Sequence, residues 1–214
     1  MATSHSGSHS GPAAAAQPGG GPAPRRRGPV LERAILDATL DQLGAVGWNA
    51  LTMEGVAAAA QTGKAAVYRR WSSKEELVAD ALRTGLPPFG EAPDHGSARE
   101  DLLQLCRRVR AAMYSKPGIA LRAVLHECDN QAAAERFHEL IVDRVVEPSQ
   151  RLLREVVQRG IARGEVRAAA ADEMVYDVVP AMMMYRSKVC GSEWTESELT
   201  GLIDLVMMPL LRPA

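Results

Sequence analysis

Apolar residues recur along most of the chain at intervals of three and four, the spacing that stacks side chains on one face of an α-helix. Leu31, Ala34, Ile35 and Ala38 stand at i, i+3, i+4 and i+7, with Leu43 and Val46 beyond, and predict a first helix over about 29–46. Gly47 is placed to take a left-handed conformation past its end. Met53, Val56, Ala57 and Ala60 repeat the spacing in a short second helix, with Thr52 positioned to cap it. Gln61, Thr62 and Gly63 cannot carry that stripe onward, and Val67 and Trp71, four apart, mark another short helix beginning near Gly63. Ser73-Lys74-Glu75-Glu76 then reads as a capping box, the Ser73 hydroxyl and the Glu76 carboxylate each satisfying a free backbone donor. The helix that follows runs from Lys74 to about Thr84 and stops at Gly85, with Pro87 and Pro88 just beyond.

Longer stripes begin near Ala98: Leu102, Leu105 and Val109; Leu121, Val124 and Leu125; Ile141, Val145 and Val146; then Leu152, Leu153, Val156, Val157 and Ile161. Pro148 is tolerable only at a kink or a helix start, so 132–163 is either one bent helix or two, ended by Gly164. A last pair, about 172–188 and 196–211, carries two broad apolar stripes. No stretch alternates in the manner of a strand, and the fold expected is all-α. Residues 1–24, rich in Ser, Gly, Pro and Ala, read as a disordered tail. Residues 25–85 form a compact helical unit, 86–97 a loop, and 98–214 a helical bundle.

Composition supports this division. The chain is 46% apolar but only 4% aromatic, which suits helix-on-helix packing. Cys106, Cys128 and Cys190 are odd in number and widely spaced, so neither a disulfide framework nor a zinc motif is expected, and a reduced, cytoplasmic setting is the simplest reading. No export signal and no span of about 20 apolar residues appears, so no membrane partner is expected. His5 and His9 read as tail residues among Ser and Gly. The formal charge of −1 excludes an argument for nucleic acid from overall balance. Locally, though, Arg25, Arg26, Arg27, Arg33, Lys64, Arg69, Arg70 and Lys74 outnumber Glu32, Asp37, Asp41 and Glu54.

With Val67 and Trp71 in the core, the third helix turns Lys64, Ala65, Tyr68 and Arg69 outward, a compact basic face narrow enough for a DNA major groove. Lys74 follows a helix cap whose free N–H groups favour an anion, and the arginine run precedes the first helix. A solvated helix face can look the same. What adds weight is the longer run Val67-Tyr68-Arg69-Arg70-Trp71 with Ser73-Lys74-Glu75-Glu76-Leu77, preceded by Gly47-Trp48, Thr52-Met53, Val56-Ala57 and Ala60.

In these residues, roughly 30–77, the chain resembles the amino-terminal domain of the tetracycline-repressor (TetR) family of bacterial transcriptional regulators. The resemblance implies a helix-turn-helix unit whose recognition helix is Gly63 to Arg70, with Lys64, Ala65 and Tyr68 on DNA and Tyr68 and Lys74 on phosphates. The DNA-contacting set is then Arg25, Arg26, Arg27, Thr52, Gly63, Lys64, Ala65, Tyr68, Arg69 and Lys74. The chain departs from the family pattern at Gln61, Thr62 and Ala66. Gln61 must either accept a left-handed backbone, at about 1 kcal/mol, or shift the turn. The resemblance also implies a homodimer on a palindromic operator, with Val175, Val179, Leu199, Leu202, Ile203, Val206 and Leu210 of the last two helices as interface candidates. It implies release from DNA by a small-molecule effector. The adaptable side chains Met113, Phe137, Met182, Met183 and Tyr185, with Arg122 and His126 one turn apart, are the pocket candidates, alongside Tyr114, Cys128 and Met184.

Two other classes remain open from the residues. Glu135 and His138 have the Glu-x-x-His spacing of a bundle metal site, but the motif occurs once where such sites need two copies. No Gly-rich phosphate loop, Ser-centred elbow or Cys–His arrangement appears, so neither catalysis nor a cofactor is expected. A helical adaptor that binds protein is the other alternative.

Overall fold

The computed structural model describes Met1 and residues 27–128, 131–191 and 193–213. Arg25, Arg26, His5, His9 and nearly all of the expected tail lie outside the described residues. The described chain is helical, without strands. Four helices come first: α1 Gly28–Ala50, α2 Met53–Ala59, α3 Lys64–Tyr68 and α4 Lys74–Gly85. After a loop come α5 Ala98–Met113, α6 Lys116–Glu127, α7 Gln131–Ile141 and α8 Glu147–Ala162, then α9 Glu173–Lys188, α10 Glu196–Leu202 and the short α11 Met208–Leu211.

Side-chain caps set most of the starts. Thr52 accepts from the Gly55 amide, Ser97 from Glu100, Ser115 from Gly118 and Asp172 from Met174. Each cap satisfies one of the donors that a first turn leaves free, worth roughly 1 kcal/mol. The Ser73 hydroxyl accepts from the Glu76 amide as expected, but the returning Glu76 carboxylate takes the Ser72 amide and hydroxyl, at 2.8 and 2.7 Å, rather than the Ser73 amide. A full reciprocal box stands instead at Thr195 and Glu198.

The Pro148 question resolves as a π-turn. Residues Val142–Val146 widen the helix so that the Glu147 amide reaches the Val142 carbonyl five residues back, and α8 continues with Pro148 in its first turn. A proline removes one amide and crowds the carbonyl four residues before it, and the wider turn relieves both. The same device precedes Pro209, where Ile203–Met207 form a π-turn and the Met208 amide reaches Ile203.

Two apolar cores result. The second gathers Leu102 and Cys106 of α5, Leu152 and Val156 of α8, Met183 of α9, and Leu199 and Ile203 from the last helices. Burial pushes the Cys106 thiol up to about 12, so it behaves as an apolar filler. The first core joins Ile35, Leu43, Val56, Val67, Leu77 and Leu82 of α1–α4 to Ala120 and Val124 of α6 and Phe137 and Leu140 of α7. The 86–97 loop is therefore not where the packing divides: α6 and α7 lie after it in sequence but share a core with the helices before it.

The loop itself is fastened to the second core. Asp101, fully buried, accepts from the His95 amide at 2.6 Å and from Arg163 at 3.3 Å. Arg159 donates to the Pro93 and Ala92 carbonyls. Glu165 accepts from the Ala98 amide at 2.6 Å and from Arg163 at 2.7 Å, and these bonds, the amide foremost, hold its carboxyl below the ordinary value of 4.5. A carboxyl depressed in the folded state stabilises above the unfolded pKa and loses that contribution as pH falls through the folded one. Thermal unfolding measured across the acid range should show Tm falling below pH 4.5, with a shallower fall in Glu165→Gln; identical slopes in the two proteins would show that the Ala98 contact contributes nothing.

Candidate functional site

The α2–α3 pair is held by Val56, Val67 and Trp71, all buried, with the Trp71 indole donating to Asp80 at 3.0 Å. That anchoring leaves Lys64, Ala65, Tyr68 and Arg69 exposed on one side of α3, with Gly63 as its N-cap. Thr52, also exposed, spends its hydroxyl on the α2 cap, and Arg27 is exposed before α1. Arg70 turns inward, donating to the Ala66 carbonyl at 3.0 Å beside Glu32. The Tyr68 hydroxyl donates to Glu54 at 3.2 Å; partial desolvation and that carboxylate push the phenol up, so it remains a neutral donor. Glu54 was not among the sequence candidates, because nothing in its spacing announces a contact across the turn.

Lys74 makes a contact within the chain. Its ammonium donates to the Trp48 carbonyl at 2.9 Å and lies 4.2 Å from the centroid of the Trp48 ring. The reason lies in α1, where Gly47 at φ 78° and ψ 177° interrupts the helical backbone near its end. Terminal carbonyls lack helical amides, and one of them here takes the lysine. The other side of the break is held by Glu127, from the end of α6, which accepts from the Asn49 amide at 3.0 Å. A side chain at Gly47 would collide with that carboxylate. The Trp48 ring meets Phe137 of α7 edge-on, with centroids 5.2 Å apart and planes at 83°.

Beyond this junction lies a cavity of about 170 Å³ between α5, α6, α8 and α9, walled mainly by apolar side chains. Of the sequence candidates, Met113, Arg122, His126, Met183 and Met184 line it. Phe137 does not: it is committed to the Trp48 junction and, with Cys128, borders a separate depression between α6 and α7. Met182 and Tyr185 are not in the lining, where α9 presents Tyr176, Val179, Pro180, Met183, Met184, Ser187 and Lys188. Tyr114 sits behind the wall, its hydroxyl accepting from the Trp194 amide. Among the lining residues that were missed are Leu86, Pro87 and Phe89 of the loop, Arg144 of the π-turn, and Ser187 and Lys188 of α9. Loop residues carry no periodicity, so only their apolar character amid Pro and Gly could have marked them.

Comparison with known proteins fits this arrangement. Residues 35–81 match the family model described as "Bacterial regulatory proteins, tetR family", and residues 92–206 match "Tetracyclin repressor-like, C-terminal domain". The chain belongs to the TetR family of bacterial transcriptional regulators. It is 33% identical over 184 residues to an uncharacterised HTH-type transcriptional regulator of Mycobacterium bovis, covering 84% of this chain and 87% of that one. To the DNA-binding transcriptional repressor TetR of Mycobacteroides abscessus it is 28% identical, over 87% of this chain and 97% of that one. In fold it is similar to a TetR transcriptional regulator from Agrobacterium tumefaciens, with TM-score 0.61 at 18% identity, over 87% of this chain and 96% of that one.

Of the interface candidates read from sequence, Val179, Leu199, Leu202 and Ile203 are buried in the second core, and Val179 also lines the cavity. Val175 and Val206 are half-buried against the same core, and of the set Leu210 is exposed. The outward face of α9 carries Met174, Ala181, Met182 and Tyr185, with Val189 just past its end, and Leu205 in the π-turn before α11 is 79% exposed. Glu135 and His138 are exposed on α7, and no group of three or more His, Cys, Asp or Glu able to hold a metal occurs among the described residues. No described helix is long and apolar enough to cross a membrane.

At the turn between α2 and α3, Gln61 accepts the left-handed backbone. Gln61 takes φ 55°, the positive-φ position among described non-glycine residues, and the Thr62 amide closes onto the Ala57 carbonyl at 2.9 Å. Left-handed backbone costs a residue with a Cβ about 1 kcal/mol, which glycine avoids. Gln61→Gly should therefore raise unfolding free energy by up to about 1 kcal/mol, read from the urea midpoint; a lowered midpoint would mean that the Gln61 side chain supplies a compensating interaction.

Proposed function

We propose that this TetR-family regulator is a repressor that binds a palindromic operator as a homodimer and leaves it when a small molecule occupies the α5–α9 cavity. The observation that carries this reading is the double duty of α6. Ala120 and Val124 pack into the core of the DNA-reading head, while Arg122, Leu125 and His126 line the cavity, and Leu121 does both. A ligand that prefers one placement of α6 thereby prefers one placement of the head, which is the differential contact that population shift requires. The helix end adds a direct link, since Glu127 holds the α1 break that also receives Lys74.

On DNA, the exposed face of α3 supplies base-edge contacts through Lys64 and Arg69, while the Tyr68 hydroxyl meets a phosphate. Ala65 permits close approach. Lys74 fixes α4 against Trp48 with one N–H and keeps two further donors for a phosphate. Selection from a random double-stranded pool with purified protein is expected to enrich an inverted repeat with half-sites about one helical turn apart, or a multiple of it. Lys64→Ala combined with Tyr68→Ala should weaken binding to the selected site by at least about tenfold and flatten its salt dependence. Enrichment of no inverted repeat, or an unchanged affinity in the double variant, refutes the reading of the head.

The homodimer reading rests on the apolar surface that α9 and Leu205 leave uncovered, since exposed apolar stripes of this kind mark association surfaces. Twofold pairing through them would set the two heads at a fixed separation. Leu205→Glu places a charge on that surface without touching the protomer's own core. Sedimentation at micromolar concentration should give the dimer mass for the unaltered protein and the monomer mass for the variant; a dimer that survives the substitution places the interface elsewhere.

A further inference from the structure

We infer that the cavity is built for an organic anion, an apolar body carrying a single carboxylate-type head that is held by Arg122. The inference rests on the effector reading of the same cavity and adds the charge and size of what fills it.

The wall itself is apolar, and the charged residues that border it are of one sign: half-buried Arg122, with exposed His126, Arg144 and Lys188 at the edge, and no described Asp or Glu. The chain as a whole holds 25 Lys and Arg against 26 Asp and Glu, so composition does not account for the bias. Three of the four lie close together, because Arg122 contacts Ser187 of α9, Lys188 follows Ser187, and His126 lies one turn beyond Arg122 on α6.

Arg122 is set apart by its partners. The other half-buried arginines, Arg70, Arg99, Arg107, Arg110, Arg154, Arg159 and Arg186, each have a carboxylate within ion-pair distance. Arg122 is equally half-buried, yet its described partners are neutral: the Ser187 hydroxyl at a long 3.4 Å and the face of Tyr114 at 5.4 Å. A guanidinium offers five N–H donors in a planar fork suited to a carboxylate, and most of these are unspent. Tyr114 restrains the guanidinium from behind and is itself fixed by the Trp194 amide, so the fork is oriented before any ligand arrives.

Size and polarity set the rest of the ligand. A dry cavity of about 150 Å³ lined by aliphatic and aromatic residues admits benzene. This one, at about 170 Å³ and walled by residues such as Leu105, Val109, Met113, Val179 and Met183, suits a body from a single ring to a short acyl chain. Such a ligand exchanges the weak Ser187 contact for a charge-assisted pair and buries its apolar part against α5 and α9.

Titration calorimetry on the full chain with octanoate, octanol and octylammonium tests this, since the three share a chain and differ in head charge. Octanoate should bind at least about tenfold more tightly than octanol, as expected for a hydrogen-bonded charge pair, and octylammonium more weakly than both. In Arg122→Gln the octanoate and octanol affinities should converge to within about threefold, with octanol unchanged from the unaltered protein, which also certifies that the variant is folded. Equal binding of octanoate and octanol, tighter binding of octylammonium, or an octanoate preference that survives in Arg122→Gln each overturns the assignment while leaving the cavity as an effector site. Absence of binding by all three overturns the effector reading as well.

Discussion

The junction around Trp48 holds the reading head against the bundle, because one indole side chain meets Phe137 of α7 edge-on while its face and backbone carbonyl hold the Lys74 ammonium of α4. Everything on the DNA side is positioned through α1 and α4, and both lean on this point. Its strength is moderate. An aromatic pair contributes about 0.5–1.5 kcal/mol beyond its buried area, and a lysine over a ring about 0.5–2 kcal/mol. Those magnitudes match the 1–3 kcal/mol or so that couples sites in regulated proteins.

What makes the junction consequential is that α6 runs past it as a shared wall. Helices usually bury one stripe, but α6 buries Ala120 and Val124 on the head and turns Arg122 and Leu125 to the cavity. Its beginning is pinned too. Gly118 lies against the end of α5 so closely that a Cβ there would meet the Ala112 and Met113 carbonyls. Pinned at its start and joined to α1 through Glu127 at its end, α6 is a physical link between the cavity wall and the first core.

Local patterns were legible in the sequence because their causes are local. The start of α2 at Thr52, the break at Gly47, the left-handed Gln61 and the α4 cap follow from residues within one turn of each other. The contact that Lys74 makes within the chain was not legible, because its partner lies 26 residues away and is a backbone carbonyl, which sequence spacing does not reveal. Phe137 was misplaced for a related reason: an aromatic residue on a bundle helix fits a pocket as readily as a neighbouring domain's core. The last helices are a different case. On α9 the inward Val179 and Met183 and the outward Met174, Met182 and Tyr185 are all apolar or aromatic, so periodicity marks a helix without saying which side faces the cavity. Folding decides this through the position of α8, information that no single helix carries.

The placement of the tryptophans has an optical consequence. Trp71 lies in the reading head beside Asp80, Trp48 at the junction under an ammonium, and Trp194 in the second core with its indole N–H on the carbonyl of Met183, a cavity residue. Indole emission responds to nearby charge and polarity, so head, junction and cavity wall each carry an intrinsic chromophore in a different electrostatic setting. Any rearrangement linking cavity wall to head would cross all three settings, so the protein's own ultraviolet fluorescence would respond to it without an added label.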